Sequence, residues 1–210
     1  MQKLYAGIAV AALAGIVVGP LVYRQINSST DPFMACRQGA VGGGAIGGPF
    51  TLINGDGQTV TDAQVITKPS LVYFGYTFCP DICPFDAARN AQAIDLLEGK
   101  GVDAQPVFIS IDPKRDTPEV MKDFAANLHP KMVGLTGSEE QVKAASLAYK
   151  TYFKAQPAED EFYLVDHSTF TYLVLPQIGF VEFFKRETTP EQMAETTACY
   201  IEAAKGLPQN

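Results

Sequence analysis

The chain has 210 residues, of which 47% are hydrophobic and 19% are charged. That length suffices for one globular domain of ordinary core size and a shorter appendage. The 23 Asp and Glu residues outnumber the 16 Lys and Arg residues, which leaves a formal net charge of −7. Because surfaces that bind nucleic acid are basic, this balance argues against nucleic acid as a partner.

A long apolar segment without charge occupies residues 4–23, between Lys3 and Arg24. About 20 helical residues rise roughly 30 Å, which is the thickness of the hydrocarbon core of a bilayer. A cleavable signal peptide usually has a shorter apolar region and a small-residue cleavage site, and no convincing site is present here. We therefore predict that residues 1–24 form a single transmembrane signal anchor. Since the chain shows no Arg-rich transit peptide, we expect the bacterial inner membrane, with the C-terminal domain in the periplasm, rather than the mitochondrial inner membrane.

Residues 25–48 are polar and then Gly-rich, and they include Cys36. A segment of this composition cannot bury a core, so we interpret it as a tether between the anchor and a folded domain at residues 49–210. Cys199 lies near the end of that domain. In an oxidising compartment Cys36 and Cys199 could form a disulfide that ties the tether to the domain. Two unrelated free thiols are an equally good interpretation of the sequence.

Residues 49–210 alternate between strand-like and helix-like patterns. The predicted strands cover residues 50–53, 58–60, 71–74, 107–111, 132–135, 162–165, 170–175 and 180–184. The predicted helices cover residues 84–98, 118–128, 139–153 and 190–205, and the last two begin at the capping boxes that open with Ser138 and Thr189. Alternation closed by a hairpin and a helix indicates a three-layer α/β domain with a mixed sheet, in the order of the thioredoxin fold.

Cys79 and Cys83 lie between the strand at 71–74 and the next helix, and each directly precedes a proline. A proline disfavours the α conformation at the preceding residue, so we expect neither cysteine to lie in a regular helix and the helix to begin at Pro84. The partial positive charge of a helix start favours thiolates, so the pair is predicted to be more acidic than ordinary cysteine. Buried structural cysteines are the alternative, but these rarely form a proline-flanked pair at such a turn.

The spacing of Cys79 and Cys83 limits the kinds of redox or metal site that they can form. Three residues separate them, whereas a redox dithiol of the thioredoxin type has two. A disulfide between them remains feasible, because a short stretch of non-helical chain can bring the β-carbons together. Two thiolates also suit copper(I) or zinc, but a structural zinc site has four ligands. The sequence contains no second cluster of Cys or His, so a structural zinc site is not expected.

The predicted topology places His167 near Cys79 and Cys83. If the strand at 170–175 pairs antiparallel with the strand at 71–74, its start lies beside the end of that strand, where the cysteine loop begins. His167 would then face Cys79 and Cys83, and an imidazole added to two thiolates forms a trigonal site suited to copper. The alternative is a hydrogen-bonded histidine without a metal role. The other histidine, His129, precedes Pro130 at a helix end and is interpreted as a solvated cap.

Three motifs resemble those of the Sco/SenC copper chaperones. They are Gly75-Tyr76-Thr77-Phe78-Cys79-Pro80-Asp81-Ile82-Cys83-Pro84, Ser110-Ile111-Asp112-Pro113-Lys114-Arg115-Asp116-Thr117 and Asp166-His167-Ser168. The resemblance extends from about Gly47 to the end of the chain and includes the anchor. It implies a thioredoxin-like fold that binds one copper ion through Cys79, Cys83 and His167. It also implies two kinds of partner. One is cytochrome c oxidase subunit II, whose dinuclear copper centre such chaperones help to mature, and the other is further copper chaperones of the periplasm.

The chain departs from that pattern at Phe78, where family members often carry a histidine, and at residues 175–179, which replace an Asp-Pro-x-Gly turn. Neither position is a proposed ligand. Two other functions would use the cysteines without His167: a thiol-disulfide oxidoreductase that keeps the oxidase copper-site cysteines reduced, and a peroxidase or redox sensor. Asp81 and Asp166 are candidate weak ligands or outer groups, and residues 159–161 a candidate docking face. Solvated acids are the simpler interpretation of all of them.

Overall fold

The structure is a computed structural model that describes residues 31–37, 45–158 and 162–207. The chain divides into a unit at Met1–Ala35 and a unit at Cys36–Asn210. In the first unit the described residues form a turn, in which the Met34 amide donates to the Asp31 carbonyl at 3.0 Å. All the strands and helices given below belong to the second unit.

The described part of the chain contains nine strands and five helices. The strands are β1 (Thr51–Asn54), β2 (Thr59–Thr61), β3 (Ser70–Gly75), β4 (Gln105–Ser110), β5 (Val133–Thr136), β6 (Phe153–Ala155), β7 (Val165–His167), β8 (Thr171–Leu175) and β9 (Gly179–Phe184). The helices are α1 (Asp62–Val65), α2 (Ile82–Glu98), α3 (Pro118–Leu128), α4 (Glu139–Ala148) and α5 (Pro190–Ala204). The sequence did not predict α1, because a single turn is too short to show a helical period.

Seven strands form one mixed sheet in the order β2-β1-β5-β4-β3-β8-β9. The central strands β3, β4 and β5 run parallel, and all other neighbours pair antiparallel. Strands β6 and β7 form a separate antiparallel ribbon. This arrangement confirms the predicted thioredoxin-like α/β fold with a mixed central sheet.

The core lies at the centre of the sheet. Every residue of β3, β4 and β8 is buried, as is typical of strands that are covered on both faces. Tyr73, Phe74 and Phe108 are among the largest fully buried side chains, and burying an apolar side chain of this size contributes about 1.5–3 kcal/mol. The strands that lead to the cysteine loop are therefore well anchored.

Three helices begin at the predicted N-caps. The hydroxyls of Thr117, Ser138 and Thr189 accept hydrogen bonds from backbone amides in the first turns of α3, α4 and α5. The predicted end of α4 near residue 153 is wrong, since the helix ends at Ala148 and Lys150 has a positive φ of 54°. A residue in the left-handed conformation stops a helix. The next residues, Phe153–Ala155, instead form β6 and pair with β7.

Cys36 and Cys199 are joined by a disulfide, with their Cα atoms 5.7 Å apart. The structure thus favours one of the two interpretations that the sequence left open. The bond links residues 163 positions apart, and Cys199 lies in α5, which packs against α2. It therefore ties the segment around Cys36 to the last helix of the domain.

The predicted anchor at residues 1–24 lies outside the described residues, as does most of the tether at residues 25–48. The division of the chain at residues 24 and 48 therefore stays a prediction. Within the ranges that the structure describes, no helix is long and apolar enough to cross a membrane.

Candidate metal centre

Cys79 lies in the loop between β3 and α2, whereas Cys83 lies inside the first turn of α2. The prediction that neither cysteine is helical is therefore wrong for Cys83, because the helix begins at Ile82 instead of Pro84. The N-cap residue, Asp81, makes no side-chain cap hydrogen bond. Instead, the Cys83 amide donates to the sulfur of Cys79 at 3.4 Å. The thiol of Cys79 thus takes the place of the capping oxygen that a helix start usually has.

His167 is the last residue of β7, and its strand partner is Phe153 on β6. The predicted antiparallel pairing of the neighbouring strands is confirmed, with Tyr73 of β3 opposite Thr171 of β8. The three residues between His167 and Thr171 lead back from the ribbon into the sheet beside the end of β3. As a result, the Nε2 atom of His167 lies 3.3 Å from the Sγ atom of Cys83.

The structure brings all three predicted ligands together. The sulfurs of Cys79 and Cys83 and a ring nitrogen of His167 lie within 4.8 Å of one another. Both cysteines are buried and free of disulfides, and the imidazole is half-buried. Among the described residues, this is the one group of at least three Cys, His, Asp or Glu side chains with metal-binding geometry.

A backbone hydrogen bond sets the orientation of the imidazole. The Nδ1 atom of His167 lies 2.8 Å from the carbonyl oxygen of Ser168. A carbonyl can only accept, so Nδ1 carries the proton and donates it, and this assignment leaves the Nε2 lone pair facing the sulfur of Cys83. A hydrogen bond of this kind fixes the tautomer and the ring plane of histidines that bind metals.

Two tyrosines form the walls around the imidazole. The ring centroids of Tyr73 and Tyr76 lie 6.2 Å and 5.9 Å from that of His167, and both contacts are edge-on. The Tyr76 hydroxyl also accepts a hydrogen bond from the Val165 amide at 3.3 Å, which ties the start of β7 to the end of β3. The sequence offered no sign of this role, because aromatic residues in a buried strand or directly after it are typical core residues.

Gly75 leaves the space that the sulfur of Cys83 needs. A Cβ atom at this position would lie 3.0 Å from the Cys83 sulfur and 2.8 Å from carbons of Phe108 and Tyr73. These distances are too short for a methyl group against buried rings and a buried sulfur. A glycine at the end of β3 therefore lets Cys83 approach the sheet and His167.

The two thiols have different acidities. Burial raises the pKa of the Cys79 thiol, but hydrogen bonds from the backbone amides of Cys83, Asp81 and Ile82 outweigh it and hold the pKa below its ordinary value. Burial raises the pKa of the Cys83 thiol far above its usual range, and the nearby Cys79 adds to this effect. The prediction of two acidic cysteines is thus wrong for Cys83, because the helix start acts on a group that is almost fully desolvated.

Burial also lowers the pKa of the His167 imidazole below its ordinary value. The imidazole is therefore neutral at and above neutral pH, which is the form that binds metals. The neutral Nε2 atom can accept a hydrogen bond from the Cys83 thiol, since that thiol is protonated under the same conditions.

We expect iodoacetamide to alkylate Cys79 before Cys83 in the reduced full chain at neutral pH. The reaction requires a thiolate, and the two residues differ both in pKa and in exposure, at 8% for Cys79 and 0% for Cys83. Tandem mass spectrometry of the peptide that contains both residues measures the order of labelling. Cys83→Ser should keep the fast reaction and Cys79→Ser should lose it. Earlier labelling of Cys83 would contradict the assigned acidities.

Asp116 holds the start of the cysteine loop and was not recognised as a site residue from the sequence. Its carboxylate is fully buried and accepts hydrogen bonds from the Thr77 hydroxyl and the Ser110 hydroxyl, both at 2.6 Å, and from the Thr77 amide at 3.1 Å. These bonds join the end of β4 to the residue two positions before Cys79. The motif at residues 110–117 thus holds the start of the cysteine loop against the end of β4.

Arg115 connects the cysteine loop to the loop before β7. Its guanidinium lies 3.7 Å from the ring centroid of Tyr163, 4.9 Å from that of Phe78 and 5.6 Å from that of Tyr76. Its Nε atom also donates to a carboxylate oxygen of Asp112 at 2.5 Å. Phe78 stands where the Sco/SenC pattern often has a histidine. Its ring packs against the Arg115 cation and offers no donor atom to a metal.

The remaining candidates do not join the three proposed ligands. Asp81 and Asp166 are exposed, and Asp166 accepts a hydrogen bond from the Gln156 side chain at 2.8 Å. The acidic residues 159–161 lie outside the described residues. His129 is buried, not solvated as expected, because its ring lies between the side chain of Asp95 and the backbone amide of Lys131.

The donor set fits copper. The two thiolate sulfurs are soft donors that favour copper(I) or zinc, and an imidazole nitrogen suits copper as well. Zinc also accepts such donors, but its structural sites have four protein ligands. The arrangement can therefore hold one copper ion with room for a further, incoming ligand.

Comparisons with known proteins agree with this chemistry. The model of the SCO1/SenC family matches residues 38–202. Protein SenC of Rhodobacter capsulatus is 50% identical over 200 residues, which cover 94% of this chain and 90% of that protein. The crystal structure of Arabidopsis thaliana ScoI with copper bound has a TM-score of 0.71 and 42% identity, covering 75% of this chain and 99% of that one.

A second similar structure carries a functional description. BsSco, described as a member of the Sco family of cytochrome c oxidase assembly proteins with a disulfide switch, has a TM-score of 0.61 and 28% identity. The match covers 77% of this chain and 94% of that one. The matching family model, the shared fold and the close relative together show that this chain belongs to the SCO1/SenC family.

Proposed function

We propose that this protein is a copper chaperone that binds one copper ion per chain through Cys79, Cys83 and His167. The observation that carries the proposal is the convergence of two free thiols and an oriented imidazole within 4.8 Å, although they come from two distant parts of the sequence. The Ser168 carbonyl, which holds Nδ1–H, and Gly75, which makes room for the sulfur, indicate that this convergence is built into the fold.

The surroundings of the site suit the transfer of a metal to another protein. The thiols lie just beneath the surface, and the neighbouring residues Phe78 and Phe85 are 51% and 68% exposed. A partner thiolate can therefore approach the metal from the side of the loop and enter its coordination sphere before the original ligands leave. Copper(I) accepts a changing set of two or three soft ligands, which permits such an exchange.

The proposed recipient is the dinuclear copper centre of cytochrome c oxidase subunit II. Support comes from the family, since BsSco is described as belonging to the cytochrome c oxidase assembly proteins. We further propose that the apolar segment at residues 4–23 anchors the chain in the inner membrane and that the domain lies in the periplasm. The Cys36–Cys199 disulfide supports this placement, because disulfides persist in oxidising compartments.

A second function is favoured by the unequal acidities of the two thiols. Cys79 has the lowered pKa of an attacking thiolate, and Cys83 is the buried thiol beside it. The Cys79 thiolate would attack one sulfur of a partner disulfide and release the other as a thiolate, which takes a proton from water. Cys83 would then give up its proton and resolve the mixed disulfide, so that the partner gains two electrons and the chain acquires a Cys79–Cys83 disulfide. Such a reductase would prepare oxidase cysteines for copper.

Copper titration of the reduced full chain tests the proposal. We expect one copper(I) per chain, measured by competition with a chromophoric chelator, and a sulfur-to-copper(II) charge-transfer band when copper(II) is added instead. Zinc is the matched competitor, because it accepts the same donor atoms but requires a fourth ligand for a tight structural site. A chain that binds zinc more tightly than copper, or that binds copper without losing its reactive thiols, would contradict the proposal.

A further inference from the structure

An ionic cluster around one buried carboxylate is connected to the metal centre by a single side chain and has no part in the function proposed above. Its centre is Asp86 on α2, whose side chain is only 4% exposed. One carboxylate oxygen lies 3.5 Å from Nη1 of Arg89 and 3.6 Å from Nε of Arg186. Arg89 is itself nearly buried, with its side chain 10% exposed, and Arg186 is 41% exposed.

Stability alone does not explain this cluster. Removing two charges from water costs several kcal/mol per ion, and apolar side chains of the same size often serve a fold as well or better. Arg89 also donates to the carbonyl of Arg186 at 2.6 Å and to the hydroxyl of Thr171 at 3.0 Å. The arginine is therefore held in one orientation by β8 and by the residues after β9. A fixed buried charge beside a candidate metal site suggests an electrostatic role.

Tyr73 connects the cluster to the metal centre. Its hydroxyl donates to the other carboxylate oxygen of Asp86 at 2.9 Å. Its ring forms a T-shaped pair with that of His167, and both the ring and the Cys83 sulfur lie within 3.0 Å of the Cβ position that Gly75 leaves empty. Asp86 also follows Cys83 by three positions in α2, so the two residues share a helix face. One phenol ring thus separates the carboxylate from two proposed copper ligands.

The carboxylate of Asp86 is placed to act on a metal ion at the proposed ligands. Burial raises the pKa of Asp86, whereas the nearby Arg89 and the hydrogen bond from Tyr73 oppose that effect and favour the ionised carboxylate. The phenol that donates to this carboxylate lies against both His167 and the Cys83 sulfur. A negative charge held this close to two ligands in a buried environment is also felt at a cation that they bind.

We propose that Asp86 is a positioning residue that shifts the copper preference of the site towards copper(II), with Arg89 and Arg186 moderating its charge. The inference rests on the proposed copper-binding function and adds to it a control over the oxidation state. Copper(II) carries one more positive charge than copper(I), so a fixed carboxylate behind the ligands stabilises copper(II) more. The hydrogen bond from Tyr73 holds the carboxylate in place and keeps the ring against His167.

The test compares the copper(I) and copper(II) dissociation constants of the full chain with those of the variant Asp86→Asn. The amide keeps an oxygen that can accept from Tyr73 but has no charge. We expect the ratio of copper(II) to copper(I) dissociation constants to rise about tenfold, which for a one-electron couple equals a potential increase of about 59 mV. A shift of the sulfur-to-copper(II) charge-transfer band to lower energy is expected with it, because copper becomes easier to reduce.

Two further variants make the test specific. Asp103→Asn changes the net charge equally, but Asp103 is 62% exposed and precedes the start of β4, at the opposite end of the sheet from the cysteine loop. Its dissociation-constant ratio should equal that of the parent. Arg186→Gln removes a partly exposed positive charge next to Asp86, so it should lower the ratio without preventing folding.

The outcomes distinguish failure of the role proposed for Asp86 from failure of the copper-binding function. If the parent binds both ions and Asp86→Asn has the same ratio as Asp103→Asn, the role of Asp86 is overturned while the copper-binding function stands. Should Asp86→Asn fail to fold, Arg186→Gln decides, and a ratio that is unchanged or raised overturns the role. A parent that binds neither ion overturns the proposed function and this inference together.

Discussion

Replacing His167 with Ala should lower the copper affinity of the chain by more than about 100-fold. Loss of an outer partner of a metal ligand already costs roughly 10–100-fold in affinity, and His167 is proposed to bind the metal itself. Its Nε2 atom lies 3.3 Å from the Cys83 sulfur and is held there by the Nδ1 hydrogen bond to Ser168. Without it, the site has two sulfurs and no nitrogen donor, which affects copper(II) most. Chelator competition with each copper ion measures the loss.

The variant His167→Ala also distinguishes the proposed chaperone function from the proposed reductase function. The amide of Cys83 still donates to the sulfur of Cys79, so dithiol exchange with a small disulfide should continue at a rate close to that of the parent. The control is His129→Gln, since His129 is the chain's other histidine and lies between Asp95 and Lys131. It should bind copper like the parent. Parental copper affinity in His167→Ala would show that the three-ligand site is wrong.

The sequence predicted the topology and the placement of His167 because both depend on patterns that repeat along the chain. Alternating strands and helices indicate a layered α/β domain, and antiparallel pairing of two buried strands places the start of one beside the end of the other. The register of Tyr73 with Thr171 meets that expectation. Caps were also predictable, because Thr117, Ser138 and Thr189 act on amides only three residues away.

The misassigned details depend on contacts that the sequence does not show. Pro84 suggested the helix start, but the sulfur of Cys79 accepts a hydrogen bond from the Cys83 amide and allows α2 to begin two residues earlier. The acidity of Cys83 follows from its burial, which is a property of the folded core. The contacts of Asp86 with Tyr73 and Arg186 join three elements. In the sequence, Tyr73 is equally compatible with an ordinary core residue, and Asp86 and Arg186 with solvated surface residues.

The double variant Cys36→Ser, Cys199→Ser should be less stable than the parent by about 2–5 kcal/mol, the usual range for a native disulfide. The loop closed by the bond spans 163 residues, which places the effect near the upper end on the chain-entropy model, at about 5 kcal/mol. Both cysteines are replaced so that no odd thiol remains to pair with Cys79. Urea denaturation of the full chain under non-reducing conditions measures the difference.

A reductant provides the internal control for this prediction. Reduced parent protein should unfold at the urea concentration of the double variant, because Cys79 and Cys83 are already thiols and contribute no bond that reductant can break. Copper binding should survive in the double variant, since Cys199 lies in α5 and none of the proposed ligands does. An unchanged denaturation midpoint in both experiments would show that the bond does not constrain the unfolded chain. The disulfide would then hold Cys36 near α5 without adding to the stability of the domain.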